Sequence, residues 1–167
     1  MSRSHVVGPK AALLTIGIAA AVLFVTGCGD SGDDAEKINL IAAGTKVTEV
    51  DNGEAGPSIG DVNVIDSPLT FADGGSSAGN LYGIQTTVSL DASKEIVQAS
   101  FTFKLENGTI SIGGLSEYPK GDNALTQGQE FERPVIGGTG DYSGASGTDT
   151  TVLNSDGLYE HELVLDD

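Results

Sequence analysis

The sequence predicts an all-β domain, an eight-stranded antiparallel β-barrel, and three observations carry that prediction. Beyond residue 36, apolar and polar residues alternate over short runs, the period-two signature of half-buried strands. Gly, Asn, Asp and Pro punctuate the runs, and 24 of the 167 residues are glycine. No amphipathic helical pattern of useful length interrupts them. Eight antiparallel strands can close on themselves and so abolish exposed edges, with an interior that either fills with side chains or holds one small ligand. A two-sheet sandwich fits the same alternation and stands as the other architecture.

Length and charge bound what such a domain does. A chain of 167 residues suits one domain with one sizeable core. Acidic residues number 24 against 8 basic ones, a net charge of -16. A surface that acidic repels a phosphate backbone, so no nucleic-acid partner is expected. Only 19% of the residues are charged and 38% are apolar, the balance of a folded glycine-rich body rather than of a disordered acidic tail.

Residues 1–27 read as a lipoprotein signal peptide. "MSRSHVVGPK" supplies a short basic head and "AALLTIGIAAAVLFV" an apolar run too short for a comfortable membrane span. The junction "VTGC", Val25 to Cys28, resembles the bacterial lipobox, which implies cleavage before Cys28 and acylation of that residue. A plain transmembrane anchor with an incidental cysteine is the other reading. Acyl chains on Cys28 would hold the protein on the extracytoplasmic face of a bacterial cell membrane. Residues 28–36, small and acidic, read as a flexible tether, and 37–167 as the barrel domain.

Without residues 1–27 the chain keeps one histidine, His161, and no cysteine beyond Cys28. That inventory leaves no disulfide framework, no CxxC zinc site and no cofactor motif, so neither a metal nor a cofactor is expected. The acidic loops "DSGDD" and "DNGE" lack the spacing of a calcium-binding loop and read as solvated turns.

In chain order the alternation places strands at roughly 37–49, 60–71, 80–90, 95–105, 109–116, 129–136, 145–153 and 158–166. "DNGEAGPSIG" separates the first from the second, and "DASK" the third from the fourth. The fourth is the clearest. In "IVQASFTFKL", Val97, Ala99, Phe101, Phe103 and Leu105 share one face, and Gln98, Ser100, Thr102 and Lys104 the other. Asn107-Gly108 then reads as a type I′ hairpin pair that returns Ile110 and Ile112 beside Phe101 and Phe103. The same Asn-Gly-Thr triplet fits a glycosylation sequon, but a tight turn is the simpler reading.

Between the sixth and seventh strands stands "VIGGTGDYSGASG". A phosphate cradle would need a helix immediately after it and usually a Lys to reach the phosphates. The residues after the segment alternate like strand, no Lys occurs after Lys120, and Asp141 would repel a phosphate. Gly137, Gly138, Gly140, Gly144 and Gly147 therefore read as a structural motif, permitting positive φ and close backbone approach where one strand hairpins into the next.

These stretches resemble a known family. "PVIGGTGDYSGASG" is similar to the VxGGTGxYxGAxG segment shared by dirigent proteins and allene oxide cyclases. "IGDVNVIDSPLTFADG", "GNLYGIQTTVSL" and "VQASFTFKLENGTISIGG" resemble their second strand, third strand and following hairpin, with Ser100, Phe101 and Phe103 on matching positions. The likeness spans most of residues 59–152, and the glycine segment is its specific part. It implies an eight-stranded antiparallel barrel with a mostly apolar cavity lined by Gln85, Val97, Ala99, Phe101, Phe103, Ile110 and Ile112. A closed core filled by those side chains is the alternative.

The resemblance also implies an activity. Allene oxide cyclases fold a reactive fatty-acid epoxide so that one ring-closure product dominates, and dirigent proteins steer reactive phenolic intermediates. Both act mainly by orientation. Yet "NLIAAGTK" offers no carboxylate where the cyclase has one, and Gln85 stands near its cavity cysteine. No catalytic residue is secured by the resemblance; Gln85 and His161 are the candidates. His161 faces opposite to Glu160 and Glu162 and shares a face with Tyr159, Leu163 and Leu165. Two functions result. One is a membrane-anchored barrel that binds a small hydrophobic molecule and steers its cyclisation or isomerisation. The other is a non-catalytic surface lipoprotein that binds a hydrophobic ligand or a partner. Relatives also associate through outer barrel faces, so homo-oligomers are implied, although the acidic surface opposes close self-packing.

Overall fold

A computed structural model describes residues 35–120 and 125–166. The signal peptide, Cys28 and most of the tether lie outside the described residues. Nine strand segments run in order: β1 (Glu36–Ala42), β2 (Lys46–Val50), β3 (Val62–Phe71), β4 (Ser77–Leu90), β5 (Lys94–Leu105), β6 (Gly108–Pro119), β7 (Glu130–Gly140), β8 (Gly147–Leu153) and β9 (Tyr159–Leu165). All neighbours are antiparallel, in the order β1-β9-β8-β7-β6-β5-β4-β3-β2, and a β1–β3 pairing closes the barrel. The fold is the eight-stranded antiparallel barrel, with β1 and β2 as halves of one broken strand.

That break differs from the single strand expected at 37–49. Gly44 sits between the halves with φ of 69°, a left-handed turn that no ladder runs through. Before it, β1 pairs with β9 along its whole length and touches the end of β3 through Leu40–Phe71, Ile41–Thr70 and Ala42–Leu69. After it, β2 pairs with β3 alone.

A second difference concerns the β5–β6 hairpin. Leu105 pairs with Gly108, so the two turn residues are Glu106 and Asn107 rather than Asn107 and Gly108. Asn107 does not take the positive φ that a type I′ turn demands, since only glycines do so among the described residues. The glycine at 108 serves another end. A Cβ there would strike the carbonyl of Thr139 on β7. The register still sets Phe103 opposite Ile110 and Phe101 opposite Ile112.

The glycine segment also lengthens β7, which runs to Gly140 instead of stopping near 136. Its register against β6 shifts between Ser111 and Ile112, and beyond Ile112 the β6–β7 ladder stops. Gly138 is held between the carbonyls of Tyr142 and Thr109, and Gly140 and Gly147 press on the carbonyls of Asn107 and Val164. Gly140 and Gly144 have φ of 66° and 83°. Close approach and turning thus both require glycine here.

Strand directions give the barrel two unlike ends. The turns at 72–76, 106–107 and 141–146 gather at one end, and the connections at 51–61, 91–93 and 154–158 at the other. Near the glycine end the interior is packed by Leu40, Leu69, Phe103, Ile110 and Leu163, each at most 1% exposed. Toward the other end the inward positions turn polar: Asn63, Gln85, Ser116, Arg133, Asp149, Thr151 and His161 are all buried.

Candidate functional site

The polar half of the barrel holds a cavity of about 310 Å³ that opens to solvent. Its wall is built from inward strand positions, where a packed core calls for apolar side chains and the sequence supplies several polar ones. Asn63 and Ile65 come from β3, Leu81 and Gln85 from β4, Phe101 from β5, and Tyr118 from β6. Arg133, Thr151 and His161 join the wall from β7, β8 and β9, and Glu49 reaches it from β2. Phe101, Leu81 and Ile65 give it an apolar floor.

One group of side chains centres on His161, buried at 6% exposure. Its Nδ1 lies 3.2 Å from Asp149 Oδ1 and 3.2 Å from Thr151 Oγ1. Thr151 donates its own hydroxyl proton to Asp149 Oδ2 at 2.7 Å, so both neighbours of Nδ1 are acceptors. The neutral ring therefore carries its proton on Nδ1 and its lone pair on Nε2. That Nε2 is buried and has no hydrogen-bond partner among the described residues. Phe103 packs edge-on against the ring at 5.0 Å and fixes its plane.

The other group centres on Arg133, 4% exposed. Its Nη2 donates to Ser116 Oγ at 2.8 Å and to Tyr118 Oη at 3.1 Å. Both partners are on β6, beyond the point where the β6–β7 ladder stops, so the guanidinium bridges that seam with side-chain bonds. Gln85 Nε2 also donates to Tyr118 Oη, at 3.3 Å. The rings of Phe101 and Phe131 flank the guanidinium at 5.3 and 5.4 Å, and Phe131 stacks on Tyr118.

The residues expected to line a cavity divide by height in the barrel. Gln85, Phe101 and His161 line it. Ala99, Phe103, Ile110 and Ile112 point inward but belong to the packed core, and Val97 packs with Tyr118 and Leu125. Phe103, Ile110 and Ile112 lie toward the glycine end from the cavity, whereas Ala99 is level with Gln85 and Val97 lies beyond it. The five glycines stand at the far end from the cavity, as turn and close-packing positions only. Sequence reasoning passed over Arg133, Asp149, Thr151 and Tyr118. Parity was the available signal: Arg133 lies two residues from inward Val135, and Asp149 two from inward Thr151.

Comparison with known proteins agrees with this barrel. The family model for dirigent-like proteins matches residues 31–165. Among solved structures, a pyocyanin demethylase superposes with a TM-score of 0.65 at 22% identity, over 78% of this chain and 99% of that one. The Diels Alderase AbmU from Streptomyces koyangensis gives 0.63 at 18%, over 81% of this chain and 65% of that one. A pterocarpan synthase dirigent protein gives 0.56 at 19%, over 78% and 83%. No curated protein matches the chain. At these identities the structural likeness speaks for the fold.

Proposed function

The chain belongs to the dirigent-like protein family, and from that premise we propose that its barrel binds a small, largely apolar organic molecule and steers its cyclisation or isomerisation. One observation carries the reading. A half-open cavity is lined by His161, whose Nδ1 is held by the buried Asp149 carboxylate and whose Nε2 has no hydrogen-bond partner among the described residues. A base oriented in this way accepts a proton from a ligand C–H or O–H and returns it to another atom, so the step balances without a redox partner. The apolar floor holds the ligand in one shape, and orientation supplies the rest of the rate. Neighbours named as a Diels Alderase and a pterocarpan synthase support ring-forming chemistry on such a barrel.

Native mass spectrometry of the chain against a phenolic and lipid library, followed by chiral product analysis, tests the proposal. The expected result is a bound ligand and one dominant product stereoisomer. His161→Gln should keep binding and lower the product rate by about a hundredfold or more. Binding without any product would leave a non-catalytic ligand-binding lipoprotein.

The proposal places this barrel on the extracytoplasmic face of a bacterial membrane, anchored by acyl chains on Cys28. The "VTGC" junction and the acidic stretch after it support that placement. Intact-mass analysis of the membrane-extracted protein checks it: the wild type should begin at Cys28 and carry acyl mass, Cys28→Ala should keep residues 1–27 and carry none, and a wild-type chain without acyl mass would exclude acylation.

A further inference from the structure

We infer that the ligand of this cavity is a conjugated organic carboxylate, and that Arg133 receives its carboxylate group. The inference rests on reading the cavity as a small-molecule site and names the class of molecule it takes. Arg133 is a buried cation held by neutral partners: the Ser116 and Tyr118 hydroxyls and the faces of Phe101 and Phe131. No carboxylate of the described residues lies at ion-pair distance from it. A guanidinium taken out of water is costly unless an opposite charge stands close to it, and an anionic ligand would supply the one that the described residues do not place there.

The nearest acid by register makes the point sharper. Asp149 stands directly opposite Arg133 across β7 and β8, and both are buried. An ion pair between them would be the ordinary outcome. Asp149 is instead committed to His161 and Thr151, while Arg133 turns toward β6. Its Nη2 makes both of its bonds, Nε is buried with no partner, and Nη1 is bonded to none of the described residues. With Nε sealed from the cavity, Nη1 is the donor left for a carboxylate, and Phe101, shared by the guanidinium and the cavity wall, offers a conjugated ligand a ring to stack on. Glu49 on the wall adds negative charge at the mouth of the same half. The outer surface is strongly acidic as well. An anion therefore approaches against repulsion, and salt should speed its entry, the reverse of electrostatic steering.

Isosteric acid and amide pairs test this on the full chain in mild detergent at pH 7.5: benzoate with benzamide, cinnamate with cinnamamide, and 1-naphthoate with 1-naphthamide. At least one acid should bind about tenfold or more tightly than its amide, as expected for a charge-assisted pair. Its association rate should rise between low and moderate salt. Arg133→Met should bring the acid-to-amide affinity ratio to about one, and Arg133→Lys should restore part of it. Should Arg133→Met fail to fold, the wild-type acid-to-amide ratio, the salt dependence and Arg133→Lys decide. Amides binding as tightly as acids, or an acid preference that survives in Arg133→Met, would overturn the inference and leave the small-molecule reading intact. Binding of no member of any pair would overturn both.

Discussion

Phe103 connects the packed half of the barrel to the reactive half. It is fully buried among Leu40, Leu69, Ile110 and Leu163, and its ring meets the His161 imidazole edge-on at 5.0 Å. Phe103→Ala should cost about 3–5 kcal/mol in chemical denaturation, the usual range for emptying a core aromatic site. It should also enlarge the ligand space downward, so that product selectivity falls while ligand binding persists. A loss below about 1 kcal/mol would mean the floor is loosely packed. This residue shows what period-two reading delivers: "FTFKL" set Phe101 and Phe103 on the interior face, and the structure puts both there. It did not give their heights. Phe101 lines the cavity and Phe103 closes it from below, and that two-residue difference depends on where each strand starts in the closed barrel, which alternation does not encode. Arg133 was missed for a related reason. A charged residue before Pro134 looks like an exposed edge until β7 is aligned with Val135 inward.

At the scale of elements, the segment between β2 and β3 borders the cavity end of the barrel and is organised by one carboxylate. Asp61 Oδ1 accepts from the Asn52 amide at 2.9 Å, and Oδ2 from the Ser58 amide at 2.7 Å. The Ser58 hydroxyl adds a third bond at 2.9 Å, and the Asn52 side chain donates to the Gly60 carbonyl at 2.7 Å. The Asn52 and Ser58 amides hold the Asp61 carboxyl below its ordinary value of 3.8. A depressed folded-state value has one sign: the loop's contribution is complete above the unfolded-state value and is lost as the pH falls through the folded one. The Asn52 and Ser58 amide resonances should therefore titrate with a midpoint below 3.8. In Asp61→Asn they should be shifted at neutral pH and pH-invariant. A midpoint at or above the ordinary aspartate value would break the assignment. The strand boundaries in this region were legible from turn residues such as "DNGEAGPSIG". The split of the first strand at Gly44 was not, because a single glycine inside an alternating run reads equally well as a bulge.

For the whole molecule, the balance of charge should decide how salt acts on stability. The described residues carry two ion pairs between long side chains, Lys37–Glu162 at 3.6 Å and Lys94–Glu117 at 2.9 Å, and all four partners are about half exposed. Exposed pairs of this kind contribute about 0–1 kcal/mol each, and salt weakens them. Opposing them is the self-repulsion of a chain with 24 acidic and 8 basic residues. That repulsion is many-body and is felt over about 10 Å at 0.1 M ionic strength, so screening it removes more than the pairs lose. Raising sodium chloride from about 10 to 300 mM should therefore raise the unfolding midpoint, by about 3–6 °C if the net gain is near 1 kcal/mol. Sodium chloride and sodium perchlorate at equal ionic strength separate screening from ion-specific effects: screening predicts a rise in both. Lys94→Gln supplies the internal control. Removing one half-exposed cation should lower the midpoint more at 10 mM than at 300 mM salt, since the acidic field it offsets is stronger there. A midpoint that falls with sodium chloride would mean that local pairs outweigh the field of the whole barrel.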